Sequence, residues 1–125
     1  MSDRKKTALV VDDDETLRLV ATRQLSKLGF SVQNASNGRE AVDAFKSSDY
    51  DLILMDLQMP EMDGFEATKE IRQIEVSKPR RKAIIVAITA SQEQDRAITS
   101  GMNDFLFKPF MFEAMKRVVE KHFPC

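Results

Sequence analysis

The sequence predicts an α/β fold, one doubly wound domain in which five strands alternate with five helices. Three observations predict it. Short apolar runs alternate with amphipathic segments along all 125 residues. Three of those runs, 8–11, 52–55 and 83–88, contain no polar residue. The connections are short. Strands that are apolar on both faces belong to a parallel sheet covered by helices on both sides, and right-handed crossovers deliver helices to both sides.

The elements follow in order. Ala8-Leu-Val-Val11 is the first strand. Leu17, Val20, Ala21, Leu25 and Leu28, spaced by three and four, define the first helix, with Gly29 placed as its C-terminal cap. Residues 30–35 alternate and read as an edge strand. Asn37 and Glu40 make a capping-box-like start for a second helix that carries Ala41, Ala44 and Phe45 on one face. The third strand, 52–55, is followed after Gly64 by a helix with Ala67, Ile71 and Ile74 at helical spacing, expected to end before 77–79 because of Pro79. Residues 83–88 form the fourth strand. Residues 91–100 form a polar helix with Ala97 and Ile98 as its main apolar residues, stopped by Gly101. A short strand at 104–107 and a helix at 111–122, with Met115, Val118 and Val119 inward, complete the chain. For five strands the flavodoxin-like order 2-1-3-4-5 is expected.

Composition narrows the function classes. With 42% hydrophobic residues the chain buries a real core, and 19 Lys+Arg against 20 Asp+Glu exclude nucleic-acid binding through bulk charge. A single Cys and a single His exclude an internal disulfide and a His- or Cys-based zinc site, and fit a reducing compartment. The apolar run at 7–11 stops at three aspartates, too short for a signal-peptide core or a membrane span, so a cytoplasmic protein without membrane insertion is expected. The basic cluster at 78–82 reads as a solvated loop before a strand.

Ligands of open parallel sheets bind beyond the C-terminal strand ends where the strand order reverses, here between the first and third strands. Asp12 and Asp13 follow the first strand and Asp56 ends the third, so three carboxylates should converge. Like charges at 4 Å repel by about 1–4 kcal/mol per pair. Either one acid keeps its proton or a cation binds, and hard oxygen ligands suit Mg²⁺. Asp14 is expected to serve only as an N-cap. Thr89 after the fourth strand and Lys108 after the fifth bring a hydroxyl and an ammonium to the same edge. Together these groups match the needs of phosphoryl transfer: a nucleophile, charge neutralisation and positioned donors.

Four segments carry a resemblance to a known family. They are Val10-Val11-Asp12-Asp13, the run from Tyr50 through Met55-Asp56-Leu-Gln58-Met-Pro60 to Gly64, Ala87-Ile88-Thr89-Ala90, and Asp104-Phe105-Leu-Phe107-Lys108-Pro109-Phe110. In order and spacing they resemble response-regulator receiver domains of two-component signalling, over about residues 7–123. The resemblance implies a phosphorelay receiver that takes a phosphoryl group from phosphohistidine onto Asp56 in a Mg²⁺-dependent reaction. Such a receiver acts on no separate substrate but catalyses its own aspartyl phosphorylation and dephosphorylation. By resemblance, Asp13 and Asp56 ligate Mg²⁺, or Mn²⁺ in its place, Asp12 does so through water, and Gln58 offers its backbone carbonyl. Thr89 and Lys108 hold phosphoryl oxygens, Phe105 is a switch residue partnered with Thr89, and the Lys108–Pro109 bond is cis. Pro60 and Gly64 fit a turn that returns the third helix to the sheet. Implied partners are a sensor histidine kinase or histidine phosphotransfer protein, and a target protein on the face of the fourth helix, fifth strand and fifth helix. Residues 1–125 are expected to be one receiver domain with no output domain. Met1 favours a stand-alone receiver, whereas the segment at 54–64 is similar to receivers fused to hybrid kinases.

The rival is a haloacid-dehalogenase-type phosphatase, because Asp12-Asp-Asp14-Glu-Thr16 also resembles that family's Asp-x-Asp-x-Thr after a strand. It leaves Asp56 unexplained, no acidic pair follows Lys108, and 125 residues leave no room for a cap domain. A flavin module is disfavoured by the acidic, glycine-free first loop, and a P-loop nucleotidase by the lack of its motif.

Overall fold

The computed structural model describes residues 5–77, 82–90 and 94–124. Its elements are β1 (Thr7–Val11), α1 (Glu15–Lys27), β2 (Ser31–Ala35), α2 (Gly38–Ser47), β3 (Leu52–Asp56), α3 (Gly64–Ser77), β4 (Ile84–Thr89), α4 (Gln94–Thr99), β5 (Asp104–Phe107) and α5 (Phe112–His122). The strands form one parallel sheet in the order β2-β1-β3-β4-β5, as expected.

Both faces of the sheet are buried because the central strands carry apolar side chains on both faces, at every position but Thr7, Asp56 and Thr89 at their ends. Leu9, Val11, Ile53, Met55, Ile85 and Ala87 join the core beneath α2, α3 and α4, with Phe45, Phe65, Ile71 and Ala97 from the helices. The alternate residues Ala8, Val10, Leu52, Leu54, Val86 and Ile88 join the opposite core, which Leu25 of α1 and Met115 and Val119 of α5 complete. Uninterrupted hydrophobicity in the three central runs is thus the signature of a two-sided sheet.

The helix boundaries have local causes. Asp14 caps α1, its side chain accepting from Thr16 N–H and Leu17 N–H. Gly29 and Gly101 follow α1 and α4 with φ of +94° and +105°, in the left-handed region that glycine enters without penalty. Asn37 caps α2 through Glu40 N–H at 2.8 Å. The reciprocal half of the capping box differs from expectation: Glu40 Oε1 accepts from Ser36 N–H at 2.7 Å and Ser36 Oγ at 2.9 Å. The Glu40 carboxylate therefore ties down the residue before the cap. These bonds, the backbone one first, hold the Glu40 carboxyl below its ordinary range.

Other boundaries shift by a residue or so from the periodicity. β4 starts at Ile84 and includes Thr89, and α3 runs through Ser77. The start of the polar helix at 91–93 and residues 78–81 of the basic cluster lie outside the described residues. The Lys108–Pro109 bond is cis. No helix among the described residues is long and apolar enough to cross a membrane.

Candidate functional site

Register builds the site. Val11 of β1 pairs with Met55 of β3, so the next residues, Asp12 and Asp56, emerge side by side at the C-terminal edge. Both are buried, Asp12 fully and Asp56 with 3% exposure. Asp13 is exposed. Ligand oxygens of Asp12, Asp13 and Asp56 lie within 4.8 Å of one another, the convergence that the strand ends predict.

Lys108 closes the cluster from the far side. Lys108 N–H donates to the Thr89 carbonyl at 2.8 Å, which extends the β4–β5 pairing by one step. The side chain then turns back across the edge, placing Nζ 3.0 Å from Asp12 Oδ2 and 3.4 Å from Asp56 Oδ1. Burial opposes the Lys108 charge, but the two carboxylates outweigh it and hold the ammonium above its ordinary range. Burial, with the Asp12 charge beside it, pushes the Asp56 carboxyl up to about 6, against the pull of Gln58 N–H and Lys108. Gln58 N–H donates to Asp56 Oδ1 at 3.2 Å.

These residues fit a divalent cation. The donor set is three carboxylates, hard oxygen ligands of net negative charge. Asp12 Oδ2 is buried with no aligned hydrogen-bond donor and meets Lys108 as an ion pair at 3.0 Å, which leaves that oxygen room for a cation.

Thr89 ends β4 and is buried, one residue beyond Ile88, the register partner of Asp56. Phe105 is partly buried against the α2–α4 side of the core and stands edge-to-face with Phe107, ring centroids 5.3 Å apart at 64°.

Asp14, which the phosphatase reading needs in the site, is engaged as the α1 cap, and its N–H donates to Asp12 Oδ1 at 2.8 Å. That geometry disfavours the rival reading.

Three further residues contribute through contacts that the sequence does not show. Arg18 Nη1 donates to the Asp12 carbonyl at 2.6 Å. Gly64 packs so tightly that a Cβ there would lie 2.3 Å from the Asp56 carbonyl oxygen. Gly38 meets the Met62 carbonyl in the same way, at 2.4 Å, and seats the β3–α3 loop against α2. Arg18 stands four residues after the Asp14 cap, a spacing that hints at its reach; Gly64 is marked as a turn residue, though not for this contact, and nothing local marks Gly38.

The sequence profile of the response regulator receiver domain matches residues 8–120. The chain belongs to this receiver family. It is 39% identical over 133 residues to hybrid signal transduction histidine kinase B of Dictyostelium discoideum, a match covering 97% of this chain and 7% of the kinase. It is 36% identical over 123 residues to two-component response regulator 24 of Arabidopsis thaliana, covering 97% and 86%. The receiver thus spans less than a tenth of several curated relatives, 7% to 9% of their length. Among solved structures it resembles the receiver domain of Ssk1 in complex with the histidine phosphotransfer protein Ypd1 of Saccharomyces cerevisiae, with a TM-score of 0.86, 34% identity, and coverage of 97% and 90%. It also resembles the response regulator TrrA of Thermotoga maritima in complex with Mg²⁺-BeF, with a TM-score of 0.82, 31% identity, and coverage of 94% and 99%. The receiver is a unit of two-component phosphorelay signalling.

Proposed function

We propose that this receiver accepts a phosphoryl group onto Asp56 from a phosphohistidine of a sensor histidine kinase or histidine phosphotransfer protein. The observation that carries the reading is the convergence of Asp12, Asp13 and Asp56 within 4.8 Å, with Lys108 Nζ at 3.0 and 3.4 Å from the two buried acids. A carboxylate oxygen of Asp56 attacks phosphorus, the P–N bond to the donor imidazole breaks, and an acyl phosphate remains. Hydrolysis by water later returns the carboxylate and inorganic phosphate, so the receiver catalyses its own phosphorylation and dephosphorylation.

Mg²⁺ held by Asp13, Asp56 and the Gln58 carbonyl, with Asp12 acting through water, would neutralise phosphoryl charge as the donor approaches. Lys108 serves the phosphoryl oxygens from the opposite side, and its ion pair with Asp56 must loosen for that. The Thr89 hydroxyl holds another phosphoryl oxygen. Its movement, with a turn of Phe105, reshapes the face built from α4, β5 and α5 for a target protein. The TrrA complex with Mg²⁺-BeF and the Ypd1 complex of the Ssk1 receiver support metal and donor class by similarity. Residues 1–125 are read as one such receiver domain.

Incubation with acetyl phosphate and Mg²⁺, followed by intact-mass measurement, tests the reading. The wild type gains about 80 Da and Asp56→Asn gains none. Undiminished labelling of Asp56→Asn overturns the assignment.

A further inference from the structure

We infer that Arg18 is the positioning residue of the acid loop, holding the peptide that carries Asp13 in the orientation a divalent cation requires. The inference rests on the cation-dependent reading of the site given above. It concerns a residue that touches neither the phosphoryl group nor the cation.

The loop after β1 is pinned on both sides of Asp12. Asp12 N–H donates to the Ala35 carbonyl at 3.2 Å, tying the loop to the end of β2. Asp12 Oδ1 accepts from Asp14 N–H, and the Asp14 side chain caps α1. The Asp12 carbonyl, which belongs to the peptide joining Asp12 to Asp13, is held as well. Its partner is Arg18 Nη1, at 2.6 Å.

Arg18 reaches it for a simple reason. Arg18 N–H donates to the Asp14 carbonyl, placing it one turn into α1, and helical side chains lean toward the N-terminus of their helix. The guanidinium therefore returns over the first turn to the Asp12–Asp13 peptide. It also lies close enough to Glu40 of α2 to lower that carboxyl, a smaller influence than the Ser36 bonds. Arg18 thereby links α1 to the acid loop. Asp13 is the exposed member of the acid cluster, so the peptide plane that Arg18 fixes governs where its carboxylate points.

Two roles for Arg18 predict opposite signs. If its positive charge mattered only through Coulomb repulsion of the cation, removing it would tighten Mg²⁺ binding. If it positions the loop, removing it weakens binding, and partners behind metal ligands typically change affinity by about 10- to 100-fold. Arg18→Met removes both charge and donor. Arg18→Lys keeps the charge but loses the planar, forked donor.

The experiment is calorimetric titration of the full chain with MgCl₂, paired with melting curves in EDTA. Arg18→Met should raise Kd for Mg²⁺ by about 10- to 100-fold, and Arg18→Lys should raise it by a smaller factor. The Mg²⁺ concentration that half-saturates acetyl-phosphate labelling should rise in parallel. Where Arg18→Met does not fold, Arg18→Lys decides, because there the charge is constant. Unchanged or tighter Mg²⁺ binding by the folded variants, beside normal binding by the wild type, overturns the role of Arg18 alone. A wild type that binds no Mg²⁺ overturns the cation reading together with it.

Discussion

Arg72 Nη1 of α3 lies 2.8 Å from Glu75 Oε1, and this largely buried pair joins three parts of the fold. The same guanidinium donates to the carbonyls of Ala83 at 2.9 Å and Gly101 at 3.0 Å, and to Asn103 Oδ1 at 2.8 Å. Glu75 Oε2 accepts from Ala83 N–H, and Asn103 Oδ1 also accepts from Ile85 N–H. One side chain thus fastens the end of α3 to the start of β4 and to the turn before β5. Arg72→Met leaves the Glu75 carboxylate and two carbonyls short of partners. It should cost about 2–4 kcal/mol in urea unfolding, while Asp56 labelling of the folded fraction persists.

Gly64 supports Asp56 from below. A methyl group at that position would sit 2.3 Å from the Asp56 carbonyl oxygen and 3.0 Å from Met55 Cγ. Because the first of these is backbone, the β3–α3 loop must move. Gly64→Ala is expected to destabilise by about 1–3 kcal/mol and to slow labelling of Asp56 by acetyl phosphate. Wild-type stability and labelling rate in this variant would contradict the packing.

The Asp56 carboxyl, at about 6 in the folded chain against an ordinary 3.8, makes the metal-free receiver pH-sensitive. Between those values the folded state holds a proton that the unfolded state has lost, so stability falls as pH rises toward 6 and stays reduced above it. Asp56→Asn removes this dependence. In EDTA at pH 7.5 it should be more stable than wild type by about 1–3 kcal/mol, and the two should converge near pH 4. Urea titrations across that range check the sign.

Mg²⁺ should raise the melting temperature by mass action, by an amount equivalent to about 2.7 kcal/mol at a hundredfold excess over Kd. Asp13 is exposed, so Asp13→Ala should leave the metal-free melting temperature nearly unchanged and still lose most of the Mg²⁺ increment. No Mg²⁺ increment in wild type would refute the cation site.

Beryllofluoride with Mg²⁺ should shift NMR signals of Thr89, the Phe105 ring and residues 94–101 in wild type, and Thr89→Ala should confine the shifts to the neighbourhood of Asp56. Shifts confined there in wild type as well would refute the coupling of Thr89 to Phe105.

The sequence alone determined the alternation of strands and helices, because short apolar runs and 3.6-residue periods are local properties. It also determined the Asp14 and Asn37 caps, which act within three residues, and the meeting of Asp12 with Asp56. That meeting is legible because each acid stands at the C-terminal end of a strand and parallel strands align their ends. Tertiary structure decided the rest. Lys108 reaches both Asp12 and Asp56 only through the β4–β5 register and the return of its side chain across the edge. The elevated Asp56 carboxyl depends on burial and on the Asp12 charge beside it, which no local pattern measures. Gly64 reads as an ordinary turn residue until its contact with the Asp56 carbonyl is seen. Arg72 and Asn103 are 31 residues apart, and their bond depends on how α3 crosses back to the sheet. Local signals extend over a few residues, whereas charge, burial and close packing depend on neighbours that only the closed sheet brings together.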